Sequence, residues 1–239
     1  MRITAQILTF ILFSLFIVGC SITEEITFNA NGSVHYSCLM DGSAIMGILP
    51  DSISQDDKTP KDTLITFYDA LKLREDSISR LPEEDQKKLK ALKLLNIKVH
   101  HDKEKKEYLL QMLGDFTDTN SLNLTLSALG MEHLEGGKIK KPVFLSNMVY
   151  DWNGKELIKT SVVPKSMEED SLSEDSLSSA HMFEIVKFQT KYNFPRKIKK
   201  VSDPSALISQ DGKSVIVEYD VSEYAKHPEK NNLKVELED

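Results

Sequence analysis

Apolar and polar residues alternate with a period of two through much of this chain, interrupted by shorter stretches of helical spacing. Ile26 and Phe28 alternate before the turn signal Asn31-Gly32, and Val34, Tyr36, Cys38 and Met40 alternate after it. Residues 25–40 therefore read as a β-hairpin with one apolar face. A second hairpin is read in 96–100 and 107–112, with a charged tip at 102–106. Residues 143–145 and 148–150 are short strand candidates, and Trp152-Asn153-Gly154-Lys155 marks a turn into 157–163. A long strand at 183–194 stops at Pro195, a strand at 215–219 follows the turn signal Gln210-Asp211-Gly212-Lys213, and 233–237 closes the chain.

Helical spacing appears three times. Leu64, Phe67, Tyr68 and Leu71 fall at i, i+3, i+4 and i+7 behind Asp62, which reads as a helix cap. Leu81-Pro82-Glu83-Glu84 opens a second helix, whose apolar stripe is Leu89, Leu92 and Leu95. Residues 118–129 form a third, with Leu122, Leu126 and Leu129 on one side and Gly130 past its end. Strand pairs separated by helices predict an α+β fold, with a largely antiparallel sheet built from hairpins and helices packed on one face. Residues 165–180 are acidic, Ser-rich and low in complexity, which predicts a flexible segment.

The first residues follow a different rule. Arg2 precedes an almost wholly apolar run from 7 to 18, and Gly19-Cys20 ends it. About a dozen apolar residues fall short of the roughly 20 that a spanning helix needs, and suit the core of a secretory signal. Ile17-Val18-Gly19-Cys20 resembles the bacterial lipobox. That resemblance implies acylation of Cys20, removal of the signal peptide 1–19, and anchoring to membrane lipid. Residues 20–239 are then expected to form a single α+β lipoprotein domain. Ser21 occupies the position where Asp would imply inner-membrane retention in enteric bacteria, so the resemblance favours the outer membrane. Glu24 and Glu25 loosely resemble the acidic surface-export signal of Bacteroidota lipoproteins, interrupted by Ile22 and Thr23. Periplasmic and surface-exposed positions both stay open.

Charge and residue counts narrow the chemistry. A net charge of −7 argues against nucleic acid as a partner, even with Arg196, Lys197, Lys199 and Lys200 clustered. That cluster is read as a solvated edge. With Cys20 acylated, the other cysteine, Cys38, has no partner and is read as a small buried apolar residue. His100 and His101 are adjacent on a strand and point to opposite faces, which speaks against a shared metal. The single Trp152 is read as a cap on the core's edge. The sequence carries no phosphate loop, GxSxG elbow, HExxH, EF-hand or CxxC pattern, so no catalytic, cofactor-binding or metal-ligating residue is assigned.

One triplet recurs. Asp-Ser/Thr-apolar occurs at Asp51-Ser52-Ile53, Asp62-Thr63-Leu64, Asp76-Ser77-Ile78, Asp170-Ser171-Leu172 and Asp175-Ser176-Leu177. Composition alone accounts for about one such triplet. It resembles the O-glycosylation acceptor of Bacteroidota extracytoplasmic proteins, which makes Ser52, Thr63, Ser77, Ser171 and Ser176 candidate acceptors. Helix-cap chemistry is the competing explanation, most directly at Asp62-Thr63.

The whole layout resembles a group of small Bacteroidota lipoproteins of unassigned activity. The residues that carry the likeness are the lipobox, the turn Phe28-Asn29-Ala30-Asn31-Gly32-Ser33, the strand end Tyr192-Asn193-Phe194-Pro195, and Ser209-Gln210-Asp211-Gly212-Lys213 before a last strand. More remotely it is similar to α+β lipoprotein domains of actinobacteria. The resemblance implies a fold and an address and carries over no functional residue. The expected role is a membrane-anchored envelope lipoprotein acting as a non-enzymatic binding or structural module, with an unknown envelope protein or ligand as partner. An apolar-ligand carrier or sensor is the alternative, and a hydrolase a third.

Overall fold

In a computed structural model the chain is α+β, built around a large, mainly antiparallel sheet. The structure describes residues 21–43, 62–102, 104–129, 148–161, 187–220 and 227–239. The elements in chain order are β1 (Ser21–Phe28), β2 (Val34–Asp41), β3 (Asp62–Thr66), α1 (Phe67–Lys72), α2 (Glu75–Ile78), α3 (Glu83–Ala91), a 3-10 turn (Leu92–Leu94), β4 (Leu95–Asp102), β5 (Glu107–Phe116) and α4 (Thr119–Leu129). They continue as β6 (Met148–Trp152), β7 (Glu156–Ser161), β8 (Lys187–Asn193), β9 (Ile198–Val201), β10 (Leu207–Ile208), β11 (Ser214–Asp220), a 3-10 turn (Pro228–Asn231) and β12 (Leu233–Leu237).

Eight strands form one sheet in the order β10-β11-β8-β1-β2-β5-β4-β3, and four form a second in the order β6-β7-β12-β9. The expected fold class holds, with one refinement. Among the described residues, helices pack over one part of the large sheet's inner face and the four-stranded sheet over another. The β1–β8 pairing is parallel, and the long sequence separation of these strands leaves room for the crossover that such a pair needs.

Alternation explains the packing. On β1 the burial alternates residue by residue, with Ile22, Ile26 and Phe28 inward. The register places Ile26 beside Tyr36 and Tyr192, and Phe28 beside Val34. Across the core, Phe28 meets Trp152 and Phe194 at ring separations of 5.3 and 5.6 Å. Trp152 thus caps the core's edge as read, and its indole N–H donates to the Asn29 carbonyl at 3.3 Å. Under the helices, Leu92, Leu95, Leu122 and Leu126 are fully buried. Each such side chain contributes about 1.5–3 kcal/mol by leaving water.

Two helix readings are corrected. Asp62 caps no helix: Asp62–Thr66 is a strand paired with β4, and the helix starts at Phe67. Thr63, Ile65 and Thr66 are β-branched and favour the extended chain. Thr66 then caps α1, with its hydroxyl accepting from the Asp69 N–H at 3.3 Å. Leu95 does not extend the stripe of α3 either. It is the first residue of β4, and Leu95, Ile97 and Val99 continue with strand alternation. Candidate strand 143–145 and the Ser-rich segment 165–180 lie outside the described residues.

The two ends of the large sheet differ. Tight turns cluster at one end, where Asn29–Ser33, Asn153–Lys155 and Ser209–Lys213 reverse the chain; Gly32, Gly154 and Gly212 there take positive φ. The other end carries Ser21, Asp41, Lys187 and Asp220 side by side in register. Ser21, the residue after Cys20, is the first residue of β1, which lies between β8 and β2.

Candidate functional site

Among the described residues, two inward strand positions carry ionisable groups with raised cost of burial, a carboxyl and an amine, and the fold brings them together. Glu24 on β1 is 2% exposed and Lys159 on β7 is 1% exposed. Glu24 belongs to the large sheet and Lys159 to the small one. The Glu24 carboxylate accepts from the Tyr150 hydroxyl at 3.1 Å and from the Thr190 hydroxyl at 3.2 Å. The Lys159 ammonium donates to the Tyr219 hydroxyl at 2.8 Å and lies 4.1 Å from that ring's centroid. Each sheet thus supplies one ionisable group whose partner stands on the other. Tyr36, Tyr192 and Cys38 complete the surroundings, all fully buried.

Burial sets the electrostatics. Loss of water pushes the Glu24 carboxyl above the ordinary carboxylate range, against the opposing pull of Lys159 and the hydroxyl donors. The same cause lowers Lys159 to about 8, against the attraction of Glu24. Both groups are driven towards their neutral forms. Tyr36, Tyr150 and Tyr192 are raised well above the usual phenol value, first by burial and then by the charges and hydroxyls around them. Cys38 is pushed up to about 12 by burial and by Glu24, so its thiol is unreactive and fits the reading of a small buried apolar residue.

This cluster was missed in the sequence, although a signal for it exists. Glu24 interrupts the inward series Ile22, Ile26, Phe28, and Lys159 follows the inward Leu157. A charge at an inward strand position needs a partner from another element. Only tertiary structure names that partner. The finding also changes the meaning of Glu24 and Glu25 as a loose export signal. Glu24 is inside the folded core, and Glu25 is held on the open face by Lys191 at 2.9 Å and Asn193 at 2.8 Å.

The outer face of the large sheet is the other candidate. It is polar and internally bonded: Gln111 donates to Ser37 at 2.9 Å, and Asn193 links Glu25 to Thr27. An open groove of about 430 Å³ crosses it towards β3, lined by Leu39, Leu64 and Leu109 among polar neighbours. A second open depression of about 510 Å³ lies beside Lys191, Asp211 and Ser214. Between α1, α2 and α3 there is room for only about 100 Å³, well below the several hundred that a drug-sized ligand fills.

Among the described residues, the histidines do not assemble a reactive site. His100 and His101 take opposite faces, as expected. His100 Nδ1 meets Asp62 at 2.8 Å and Nε2 lies 3.5 Å from Glu107, so both ring nitrogens face carboxylates. The Asp62 hydrogen bond, followed by the Glu107 interaction, raises the His100 pKa. A histidine so engaged presents no free nitrogen to a nucleophile. His101 stacks edge-on against Tyr108 instead. Among the described residues, no three His, Cys, Asp or Glu side chains stand together as metal ligands.

The basic run 196–200 is dispersed among acids at the turn-rich end. Arg196 donates to the Gly154 carbonyl at 2.6 Å, Lys200 is in register with Glu236, and Asp239 bonds Lys155 at 3.0 Å. Of the candidate acceptors, Ser77 is exposed on α2 and Thr63 is half-buried on β3. Ser52, Ser171, Ser176 and Cys20 lie outside the described residues. No described helix is long and apolar enough to cross a membrane.

No family model matches the chain. No curated protein matches it either. Among solved structures, the folded domain of the LppM protein of Mycobacterium tuberculosis is similar over 93% of this chain and 92% of that one, at 10% identity and a TM-score of 0.40.

Proposed function

We propose that this chain is an envelope lipoprotein of the Bacteroidota type, tethered through an acylated Cys20. In this reading it works as a non-enzymatic binding or structural module through the open face of its large sheet. The observation that carries the reading is the junction at residues 7–21: a signal-length apolar run, then Gly19-Cys20, then directly a strand in the interior of the sheet. With no linker between acyl group and sheet, the end bearing Ser21, Asp41, Lys187 and Asp220 sits against the headgroups. The turn-rich end points away, and the open face stands alongside, free of the headgroups. Two or three acyl chains at about 0.8 kcal/mol per buried methylene anchor such a protein stably, where one does not.

The outer membrane is the expected address. Glycans on Ser52, Thr63, Ser77, Ser171 or Ser176 belong to the same reading, and the exposed Ser77 is the more accessible of the two described acceptors. The carrier alternative requires a closed apolar cavity of a few hundred Å³. Among the described residues, Leu92, Leu95, Leu122 and Leu126 are buried between sheet and helices, which supports the module reading over the carrier.

Intact-mass measurement of membrane-extracted protein tests the tether. The expected product begins at Cys20 and carries diacylglycerol and N-acyl mass, and Cys20→Ser leaves an untrimmed, unacylated chain. An unmodified thiol at position 20 would sink the reading. The binding role is tested by comparing what co-purifies with the wild type and with Ser37→Arg and Gln111→Arg, which alter only the open face.

A further inference from the structure

Among the described residues the two sheets present four outer strands, and three of them are protected against pairing with another chain. β10 is only two residues long. β9 carries Lys199 and Lys200, and its pairing with β12 shifts register at Glu236/Leu237. β6 is closed by α4: the Asn123 side chain donates to the Tyr150 carbonyl at 2.8 Å and accepts from the Tyr150 N–H at 2.9 Å. Short length, charge, irregularity and a covering helix are the usual defences of a sheet edge.

β3 carries one charge, Asp62, which His100 engages at 2.8 Å, and among the described residues it has neither a register shift nor a helix bonded along its open side. Its five residues, Asp62–Thr66, contain no Lys or Pro and pair with β4 in unbroken register. Leu64 is 60% exposed on one face and Ile65 is 46% exposed on the other. Tyr68 on α1, Leu73 at its C-terminal cap and Leu94 in the turn before β4 are also exposed, and Lys93 lies 5.4 Å from the Tyr68 ring centroid, which places that turn beside α1. Among the described residues, five of the nine exposed large hydrophobic side chains therefore belong to β3, α1 with its cap, and the turn before β4. Such a concentration marks an interaction surface.

We propose that this edge pairs with the same edge of a second copy, β3 against β3, antiparallel about a two-fold axis. A two-fold contact needs a self-complementary patch, and β3 supplies one. A register centred on Leu64 sets Leu64 against its symmetry mate, Thr63 opposite Ile65 and Asp62 opposite Thr66, so no like charges oppose. The five side chains offer on the order of 500 Å² per copy, or about 1,000 Å² in the pair, which meets the lower bound for a specific interface. Pairing also satisfies the free backbone groups of both strands.

Sedimentation velocity of the purified full chain in detergent, over a wide concentration range, tests this. The wild type is expected to dimerise. Leu64→Lys is expected to weaken association about tenfold or more while circular dichroism and thermal midpoint stay unchanged, since the site is exposed. In a Cys20→Ser background, Leu64→Cys is expected to give a covalent dimer on mild oxidation. A monomeric wild type, a Leu64→Lys variant that dimerises like the wild type, or the absence of the cross-link would each overturn the proposal. Vesicle binding that depends on Leu64 in a monomeric protein would assign the edge to lipid and overturn it as well.

Discussion

The Tyr150 hydroxyl donates to the Glu24 carboxylate across the interface of the two sheets, at 3.1 Å in a fully buried setting. Glu24 is placed by β1 and Tyr150 by β6, so the bond reports directly on how one sheet docks against the other. With Lys159 to Tyr219 as its counterpart, it sets two polar links inside an otherwise apolar interface.

Removing one charge of this cluster is expected to be costly. Lys159→Met removes the hydrogen bond to the Tyr219 hydroxyl, Glu24→Leu removes those from Tyr150 and Thr190, and either change deletes the attraction between the two groups, a loss of about 1–3 kcal/mol. The double variant is expected to lose less than the sum of the two, because the attraction between Glu24 and Lys159 is lost in each single variant but only once in the double. Urea denaturation of the two single variants and the double variant measures the coupling. Strict additivity would contradict the interaction.

The pH profile has a defined sign. The folded Lys159 titrates near 8 and the unfolded one near the ordinary lysine value of 10.5. Between those values the unfolded chain binds the extra proton, so stability should rise with pH from about 8. Above about 10 the rise is overtaken, because unfolded tyrosines ionise while buried Tyr36, Tyr150 and Tyr192 do not. Glu24 acts at the acid side. Its folded pKa is raised above 4.5, so the folded state holds the proton longer and stability falls as pH rises through that window. Urea midpoints followed from pH 8 to 10 should increase in the wild type and stay flat for this contribution in Lys159→Met.

Asn123→Ala should cost about 1–3 kcal/mol, because it strips both hydrogen bonds from the Tyr150 backbone at the edge of the small sheet. Denaturant titration gives the magnitude. Hydrogen exchange at the Tyr150 amide should speed up selectively, and an unchanged rate would show that α4 does not close this edge.

Gly114→Ala should destabilise by about 1–3 kcal/mol through overpacking. A Cβ at position 114 would come within 2.5 Å of the Leu94 carbonyl oxygen, which is backbone and cannot swing aside. A thermal midpoint equal to the wild type's would show that the turn before β4 yields.

Thiol labelling reads both cysteines at once. Cys38 is fully buried with its pKa near 12, so native protein should leave it unlabelled by maleimide until denaturant is added. Membrane-extracted protein should then show no reactive thiol in the native state, and the Cys20→Ser variant the same. A labelled native Cys38 would contradict its burial.

Much of the secondary structure was legible because a strand with one buried face writes itself as alternation. The hairpins β1–β2 and β4–β5, the strands β11 and β12, and helix α4 follow directly from periodicity. The reading failed where two periods overlapped. Leu64, Phe67, Tyr68 and Leu71 satisfy helical spacing, yet Leu64 belongs to a strand, because β-branched neighbours and pairing with β4 outweigh four coincident positions. Leu95 failed the same way at the border of α3 and β4.

Local pattern by itself determined the strands, their inward faces, the turns at Gly32, Gly154 and Gly212, and the signal-like start that ends at Cys20. Those features depend on neighbours a few residues apart, and the sequence displays them. Only the tertiary structure decided that the inner face is shared by helices and a second sheet, that Glu24 meets Tyr150 at a sequence separation of 126 residues, and that β3 is the least protected of the four described edges. The reason is physical. A buried charge or a bare edge declares in sequence that it needs a partner, but partner choice is set by long-range strand order, which no local period encodes.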